Sequence, residues 1–357
     1  MIDRRGLLGA GAAGAGALLM PGAARAMTAA AKDPIAPFRT PYKYPKLILA
    51  GSGVKGSFDE KAVDCPFVFS ANGKFYPTHV GFDGTGYQTG ICESDDLLNW
   101  RRLGVIMARD PNDPITKYNI ACASILREND LMSPARLVKV NGRYLAAWHA
   151  YPNAGYEKGA AVIGLAWSDD FIHWERGPVI LNAEDGADWE RGGLYKPYLI
   201  KEGDTFYLFY NAKTTDTPWH EQTGLVTSKD LKTWTRHPAS PLIRNGADGK
   251  PDWRFASDPV VVKHHDKWAM FYFGLAHDGY ARDLLAIGDT LTDFKKVDEV
   301  LIDVGAPGTI DEKYAHKPAV IYHDGALYHF YCAVSGKWPN DTRGLAVARS
   351  KPWWANT

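Results

Sequence analysis

The stretch HKPAVIYHDGALY, residues 316–328, contains the pattern that decides the fold of this protein. A small or polar residue precedes a proline, which is followed by a short apolar run, a turn and an aromatic strand. Four further stretches repeat this pattern, at 64–76, 132–144, 195–207 and 257–269. The repeat prolines are about sixty residues apart, which is the length of a four-stranded propeller blade with its loops. The sequence therefore predicts an all-β fold, a five-bladed β-propeller.

The two ends of the chain are predicted to meet. After the last repeat there is no outer fourth strand, because residues 344–350 run directly into the C-terminal residues. A segment of the matching kind, YPKLILAGSG at 44–53, lies ahead of the first repeat instead. We expect Leu47 to Leu49 to complete the last blade and close the ring, which removes the exposed edges of a sheet.

Residues 1–26 have the features of a secretory signal. Arg4 and Arg5 precede an apolar, glycine-rich stretch and then small residues. The paired arginines indicate twin-arginine export, and the apolar stretch is shorter than the roughly 20 residues of a spanning helix. We expect an extension at 27–44 and a propeller domain at 45–357. The protein would be periplasmic or secreted, with no membrane insertion after signal cleavage.

The composition favours neither nucleic acid nor an anionic membrane as a partner. Lys plus Arg and Asp plus Glu are each 41, so the chain has no net charge to attract them. The four cysteines, Cys65, Cys92, Cys122 and Cys332, lack the spacing of metal ligands. We expect no required cofactor, while a structural metal ion in the central channel stays open. Nothing in the sequence indicates an oligomeric state.

Residues that differ between blades at the axis are the candidates for function, since repeated residues hold the blades together. The two positions before the repeat prolines form an ionisable set: Asp64-Cys65, Met132-Ser133, Tyr195-Lys196, Ser257-Asp258 and His316-Lys317. Charged side chains rarely occupy such partly buried places without a partner or a task. Asp64, at the start of the first inner strand, is the strongest catalytic candidate. The alternative is an ion pair with Lys196 or Lys317.

Two residues are candidates for the proton donor. Glu190 precedes the inner strand of the third blade, and hydrolysis of a glycoside needs a second group beside the base, usually a carboxyl group. His316 has in the fifth blade the place that Asp64 has in the first, which makes an imidazole the other possibility. The alternatives are a salt bridge for Glu190 and a structural or metal-binding role for His316. Asp258 could orient the substrate or shift the pKa of the acid by its like charge.

The loops around these positions contain side chains that suit a sugar, which has apolar faces and hydroxyl edges. The candidate substrate-binding residues are Tyr195, Lys196, Arg254, Lys317, Trp189, Trp219, Trp253 and Glu221. A long insertion at 105–130 breaks the repeat and is expected to cover one side of the pocket, because loops of this length are often functional.

The chain resembles the five-bladed propeller glycoside hydrolases of families 43, 32, 117 and 130. The resemblance covers nearly all of 45–350 and lies in phrases such as FYLFYNAK (206–213), GLVTSKDLKTW (224–234) and ASDPVVV (256–262). It implies that Asp64, as the Asp that opens the first inner strand, is a general base or nucleophile.

The same resemblance implies roles for the other candidates. Family 32 has an Asp-Pro that holds the substrate and a Glu that acts as the acid. The nearest matches to them in this chain are Asp258-Pro259 and Glu190. Family 43 has its acid two places before a later repeat proline, where this chain has Ser257. Family 117 points instead to a fifth-blade His, which corresponds to His316.

Three functions remain open from the sequence. The first is an exo-acting, inverting hydrolase that removes a terminal furanose, such as arabinose, or an anhydro-sugar from oligosaccharides or polysaccharides. The second is a phosphorylase, in which Lys196, Lys317 and Arg254 would bind phosphate. The third is a non-catalytic lectin. Because the mouth residues differ from blade to blade, a single composite active site is favoured over the repeated sites of a lectin.

Overall fold

A computed structural model describes residues 33–337 and 340–354. The expected signal segment at 1–26 therefore lies outside the described residues. Within the described ranges, no helix is both long enough and apolar enough to cross a membrane.

The fold is all-β, as predicted from the repeats. The chain divides into two compact parts, one that ends at Ala36 and one that begins at Pro37. Every strand of the described residues lies in the second part. Helical structure in the described part of the chain is limited to two 3-10 turns, Ala36–Phe38 and Asp188–Glu190.

The strands form successive antiparallel units along the chain. Two short strands come first, β1 (Tyr42–Lys43) and β2 (Leu49–Ala50). Unit one is a four-stranded sheet with β3 (Ala62–Ala71), β4 (Lys74–Phe82), β5 (Tyr87–Glu93) and β6 (Arg101–Met107). Unit two is a five-stranded sheet with β7 (Ala121–Ile125), β8 (Lys139–Val140), β9 (Arg143–Ala150), β10 (Val162–Ser168) and β11 (Glu175–Leu181).

The remaining strands make three more antiparallel units. Unit three contains β12 (Gly193–Glu202), β13 (Thr205–Lys213), β14 (Glu221–Ser228) and β15 (Thr235–Arg236). Unit four contains β16 (Phe255–His264), β17 (Lys267–Leu275), β18 (Ala281–Gly288) and β19 (Phe294–Lys296). Unit five contains β20 (Tyr314–His323), β21 (Ala326–Ser335) and β22 (Thr342–Arg349). Short parallel pairings of β14 with β16 and of β18 with β20 join these units into one sheet.

A β-bulge recurs in the first strand of four units, at the repeat proline. In each of them the residue before the proline has a left-handed backbone: Cys65 (φ 53°), Lys196 (φ 51°), Asp258 (φ 56°) and Lys317 (φ 65°). Proline has no N–H and disfavours the right-handed helical region for the residue before it, so the ladder is interrupted here. The bulge bends the strand and re-aims its side chains, which directs four different residues toward one place.

Unit two departs from the predicted arrangement. Its first strand is β7, which pairs with β9 and has its bulge between Cys122 and Ser124. The expected inner strand beginning at 132–134 is wrong, because this segment lies in the connection to β8 and Met132 is exposed. The insertion at 105–130 is likewise not a covering loop. It contains β7, whose small apolar side chains are buried in the sheet.

The N-terminal strands pair with the last strand of the chain. In β2, Leu49 lies opposite Leu345 of β22, and β1 pairs antiparallel with the C-terminal end of β22. Leu49 is buried against Val63 of unit one as well as against Leu345. The segment thus connects the first and last units, while the backbone pairing of the described residues does not form one continuous closed sheet. Closure of a ring stays a prediction.

Candidate active site

The left-handed residues meet at the bottom of a cavity. The cavity has a volume of about 210 Å³ and continues into a narrow extension. Cys65, Lys196, Asp258 and Lys317 line the extension. The wider part is lined by residues that include Tyr156, Glu157, Tyr195, Glu221, His316 and Arg343. A cavity with a few converging polar groups and buried titratable side chains is the expected form of an active site.

Asp258 presents an unoccupied acceptor at the floor of this cavity. Its Oδ1 accepts a hydrogen bond from Asn211 Nδ2 at 2.5 Å, and its backbone N–H donates to Asn211 Oδ1. Its Oδ2 is buried without a hydrogen-bond partner in the described protein and lies 3.9 Å from Lys196 Nζ. Burial raises the pKa of Asp258 above its ordinary value, although the charges of Lys196 and Lys317 oppose this. The free oxygen is placed to accept a hydroxyl group.

Asp64 is fully engaged behind the cavity wall. Its Oδ2 accepts hydrogen bonds from Lys317 Nζ and Arg343 Nη1, each at 2.9 Å, and from the Tyr156 hydroxyl. Its Oδ1 accepts from the backbone N–H of Cys65. Burial would raise the pKa of Asp64, but the two cations outweigh it and hold the pKa well below its usual range. Asp64 is therefore an ionised anchor for three cavity-lining side chains and does not itself line the cavity.

Glu221 is a buried carboxyl group in the cavity wall, at the first residue of β14. Its Oε1 accepts from Trp219 Nε1 and its Oε2 accepts from Ser257 Oγ, both at 2.8 Å. Burial, together with the negative charge of Glu157, raises the pKa of Glu221 to about 7. Near neutral pH this side chain therefore retains a proton that it can donate.

Glu157 is the carboxylate that faces Glu221, and it was not predicted from the sequence. It lies in the loop between β9 and β10, which also supplies Tyr156, and it has a left-handed φ of 56°. Lys317 Nζ lies 3.5 Å from Glu157 Oε1. Strained backbone conformations of this kind cluster at functional sites. The loop has no counterpart in the repeated pattern, so its one signal in the sequence is its glycine-flanked Tyr-Glu pair.

His316 lines the cavity as a neutral imidazole. Its Nδ1 lies 3.0 Å from the carbonyl oxygen of Cys332, which can accept only, so Nδ1 carries the hydrogen and Nε2 is left as an acceptor. Burial and the charge of Lys317 lower the pKa of His316 to about 3. An imidazole in this state has no proton to give a leaving group at neutral pH.

Comparison with known proteins assigns this chain to a recognised family. Residues 126–301 match the glycosyl hydrolases family 32 N-terminal domain. A solved structure described as "Glycoside hydrolase" is 31% identical with a TM-score of 0.75, and the match covers 88% of this chain and 92% of that one. The chain belongs to the propeller-type glycoside hydrolases. The resemblance predicted from the sequence is thus confirmed.

Further relatives of this glycoside hydrolase differ in what their names state. A structure of a BT0996 complex with RGII is 31% identical with a TM-score of 0.74, covering 88% of this chain and 93% of that one. A "Probable sucrose-6-phosphate hydrolase" of Psychromonas ingrahamii is 24% identical over 57% of this chain. A "1,2-beta-oligomannan phosphorylase" of Thermoanaerobacter sp. is 22% identical over 51% of it. This chain spans 38% and 53% of those two proteins, about half of their length or less.

Glu190 of this glycoside hydrolase lies outside the cavity lining, in a cluster that recurs between units. It is buried and accepts hydrogen bonds from the Tyr210 hydroxyl at 2.7 Å and from Arg236 Nε at 3.1 Å. Asp252 and Asp311 each accept a tyrosine hydroxyl and pair with a lysine in the same way. Each of these carboxylates stands seven positions before its repeat proline. A group repeated with its partners in this manner stabilises the units.

The structure brings four of the eight expected sugar-binding residues to the cavity, namely Tyr195, Lys196, Lys317 and Glu221. The other four do not line it. Trp189 stacks on Tyr210 in the core, Trp253 stacks on His277, and Arg254 lies over the rings of Trp219 and Phe255. Arg343, which was also not predicted from the sequence, lines the cavity from β22.

A groove of about 460 Å³ lies elsewhere in the described residues, and its three carboxylates are paired, Asp252 with Lys296, Asp298 with Lys250 and Glu299 with Arg39. A larger groove of about 510 Å³ runs along residues 44–48 and 98–101, but its lining contains no carboxylate and no histidine. Across 33–337 and 340–354, no three His, Cys, Asp or Glu side chains gather in a way that could hold a metal ion. The expectation that hydrolysis needs no cofactor stays a prediction.

Proposed function

We propose that the protein is an exo-acting glycoside hydrolase that removes a terminal sugar from an oligosaccharide or polysaccharide. The observation that carries the proposal is the buried Glu221 carboxyl group, which lines the same cavity as Glu157 and whose pKa burial raises to about 7. The cavity volume of about 210 Å³ is below the roughly 300–1,000 Å³ of pockets for drug-sized ligands, which favours a single sugar ring. A small, closed floor suits a chain end.

The two carboxyl groups have complementary roles. Glu221 donates its proton to the glycosidic oxygen as the bond from that oxygen to the anomeric carbon breaks. Glu157 either takes a proton from the attacking water, which inverts the anomeric centre, or attacks the carbon itself, which retains it after hydrolysis of the ester. We propose inversion. The anomer released first, followed by NMR, distinguishes the two routes.

The remaining cavity residues bind the sugar. We propose that Asp258 Oδ2 and the Nε2 of His316 accept hydroxyl groups, while Lys196 donates to one. Asp258 Oδ2 is buried without a hydrogen-bond partner in the described protein and lies 3.9 Å from Lys196 Nζ, and the hydrogen of His316 is on its other nitrogen, Nδ1. We propose that Asp64 acts on the substrate only through Lys317, Arg343 and Tyr156. The saturation of its oxygens supports this positioning role over that of a base.

We also infer that the five strand units are the blades of one propeller ring. Contacts of β3 with β20 and β22, and the pairing of β1 and β2 with β22, support a ring in which the first and last units are neighbours. Hydrogen exchange of the amides of units one and five, measured in a chain that starts at residue 51, tests this. Loss of protection throughout units one and five would agree with closure by the N-terminal segment, and unchanged protection would contradict it.

For the sugar itself, we propose a furanoside such as arabinose, or an anhydro-sugar. The similarity to the structure solved with RGII supports an oligosaccharide of that class over sucrose phosphate. The test is a screen of aryl glycosides and defined oligosaccharides. Release of a single terminal sugar supports the proposal. Release of internal fragments would contradict the exo mode, and binding without turnover of any substrate would favour a lectin.

A phosphorylase is the second candidate, supported by the similarity to an oligomannan phosphorylase and by the two ammonium groups at the cavity floor. Arg254, expected to help bind phosphate, packs on Trp219 instead. Running the screen with and without inorganic phosphate separates the two functions. Formation of a sugar 1-phosphate would replace hydrolysis as the proposed reaction, whereas phosphate-independent release of free sugar supports hydrolysis.

We propose that the hydrolase acts in the periplasm or outside the cell. Arg4, Arg5 and the apolar run that follows support export by the twin-arginine route. Replacing both arginines with lysine should leave the protein in the cytoplasmic fraction of a bacterial host. Export that continues in this variant would argue against the route.

A further inference from the structure

Trp219 is an aromatic side chain at the mouth of the cavity whose role is not explained by packing alone. It precedes β14 by two residues, and 40% of its surface is exposed. At the same time its indole N–H donates to Glu221 Oε1 at 2.8 Å. The ring is therefore hydrogen-bonded to a carboxyl group of the cavity lining and is in contact with solvent as well.

The indole ring of Trp219 is held in place by the side chains of Phe255 and Arg254. It stacks on Phe255, a cavity-lining residue, with ring centroids 6.0 Å apart and an angle of 26° between the planes. The guanidinium of Arg254 lies 4.7 Å from the centre of the indole, and Arg254 Nε donates to the Trp219 carbonyl oxygen at 3.0 Å. Lys213 Nζ also lies 5.8 Å from the centre of the indole, while 40% of the Trp219 surface is exposed. An aromatic ring that is fixed in place and partly exposed is a suitable surface for the apolar face of a sugar.

The position of the proton donor decides which sugar this would be. Glu221 protonates the oxygen of the leaving group, so the part of the substrate that lies beyond Glu221 toward solvent is the leaving part. We propose, on the basis of the function proposed above, that Trp219 is the platform for the leaving sugar and also orients the acid. The enzyme would thus select substrates by the ring face of the sugar next to the cleaved bond, as well as by the terminal sugar in the cavity.

Substitutions can separate the two roles of Trp219. Trp219→Phe keeps an aromatic surface but removes the N–H that binds Glu221, and Trp219→Ala removes both. The titratable groups that act on Glu221, namely Glu157, Lys213 and Tyr195, remain in both variants. Trp253→Phe is the matched control. Trp253 lies outside the cavity lining, stacks on His277 and has no hydrogen bond to Glu221.

The test compares kcat/KM on two substrates with the same terminal sugar, a methyl glycoside and an oligosaccharide. Both need the acid, but only the oligosaccharide has a leaving ring to stack. We expect Trp219→Ala to lower the ratio of oligosaccharide to methyl glycoside by about tenfold, in line with the energy of aromatic stacking. Trp219→Phe should slow both substrates alike and move the basic limb of the pH profile upward, because the hydrogen bond that it removes holds the pKa of Glu221 down. Trp253→Phe should change neither.

The outcomes distinguish a failure of the proposal for Trp219 from a failure of the proposed function. Equal losses on the two substrates in Trp219→Ala would overturn the platform, and an unmoved pH profile in Trp219→Phe would overturn the orienting role. If Trp219→Ala does not fold, the ratio of kcat/KM on the oligosaccharide to kcat/KM on the methyl glycoside is measured for Trp219→Leu instead. If the wild-type enzyme cleaves neither substrate, nor any glycoside of the wider screen, the proposed function itself has failed.

Discussion

Glu221→Gln removes the carboxyl proton of Glu221. The substitution tests both the role of this proton in the reaction and its effect on the stability of the fold. Glutamine has nearly the same size and keeps an oxygen that can accept from Trp219 or from Ser257. General acid catalysis contributes about 10²–10⁴-fold to rates. We expect kcat/KM on an oligosaccharide to fall by at least about a hundredfold, while a dinitrophenyl glycoside, whose leaving group departs without protonation, keeps most of its rate.

The same substitution has a calculable effect on stability. In the folded protein the pKa of Glu221 is about 7, against its ordinary value of 4.5, so the folded state holds the proton more tightly than the unfolded chain. The difference corresponds to about 3 kcal/mol of unfolding free energy. This contribution is fully present below pH 4.5 and is lost as the pH rises through 7. Glutamine does not titrate, so the unfolding free energy of the variant does not contain this decrease with rising pH.

Urea denaturation across this pH range measures the effect. We expect the unfolding free energy of Glu221→Gln, relative to wild type, to rise by about 3 kcal/mol from the acid to the alkaline end. Glu184→Gln, which changes an exposed glutamate, should follow the wild type at every pH. If wild type and Glu221→Gln show parallel pH dependences, the carboxyl group titrates normally and the reasoning that makes it the acid is refuted.

Four other perturbations test the remaining contacts. Glu157→Gln should slow hydrolysis by at least about a hundredfold and move the basic limb of the pH profile downward, because the negative charge that raises the pKa of Glu221 is gone; an unmoved limb would contradict the coupling. Asp64→Asn should lower the unfolding free energy by about 3 kcal/mol, since it leaves two buried cations without their partner; a fully stable variant without turnover would return Asp64 to the role of base. Deleting residues 40–50 should lower the melting temperature far more than starting the chain at residue 33, and equal losses would contradict closure by the N-terminal strands. Hydrolysis should be unaffected by EDTA, and inactivation that a divalent metal reverses would contradict the expectation that no cofactor is needed.

The parts of the fold that repeat could be predicted from the sequence because one physical device recurs in them. Proline interrupts the ladder in the first strand of four units, and the register of the residues before it determines which side chains reach the cavity. For that reason Tyr195, Lys196, Asp258, His316 and Lys317 could be placed in the cavity from their position relative to a proline, and the structure brings them together there.

The errors have equally specific causes. Unit two forms its bulge in the proline-free strand that contains Cys122, so the nearest proline, Pro134, was misleading. Glu190 follows an Asp-Trp pair as Arg254 does, which makes these two positions look equivalent, yet the spacing of Glu190 to its proline matches that of Asp252 and Asp311 and was readable from the sequence. Glu157 could not be found from repeats, because a loop that occurs once leaves no pattern to compare.

The left-handed residues at the cavity floor also determine how this site can be altered. Because each of them projects from a bulge that the following proline enforces, its side chain can be exchanged without moving the strand that carries it. The requirement is a residue that tolerates positive φ, which Asn, Asp and Gly do and which β-branched residues do not. Cys65, Lys196, Asp258 and Lys317 share this backbone, but Lys317 is paired with Asp64 and Lys196 with Asp258, so Cys65 is the position that can be changed without breaking an ion pair. A library at Cys65, restricted to residues that accept this backbone, could change which ligands the cavity accepts while keeping the scaffold intact.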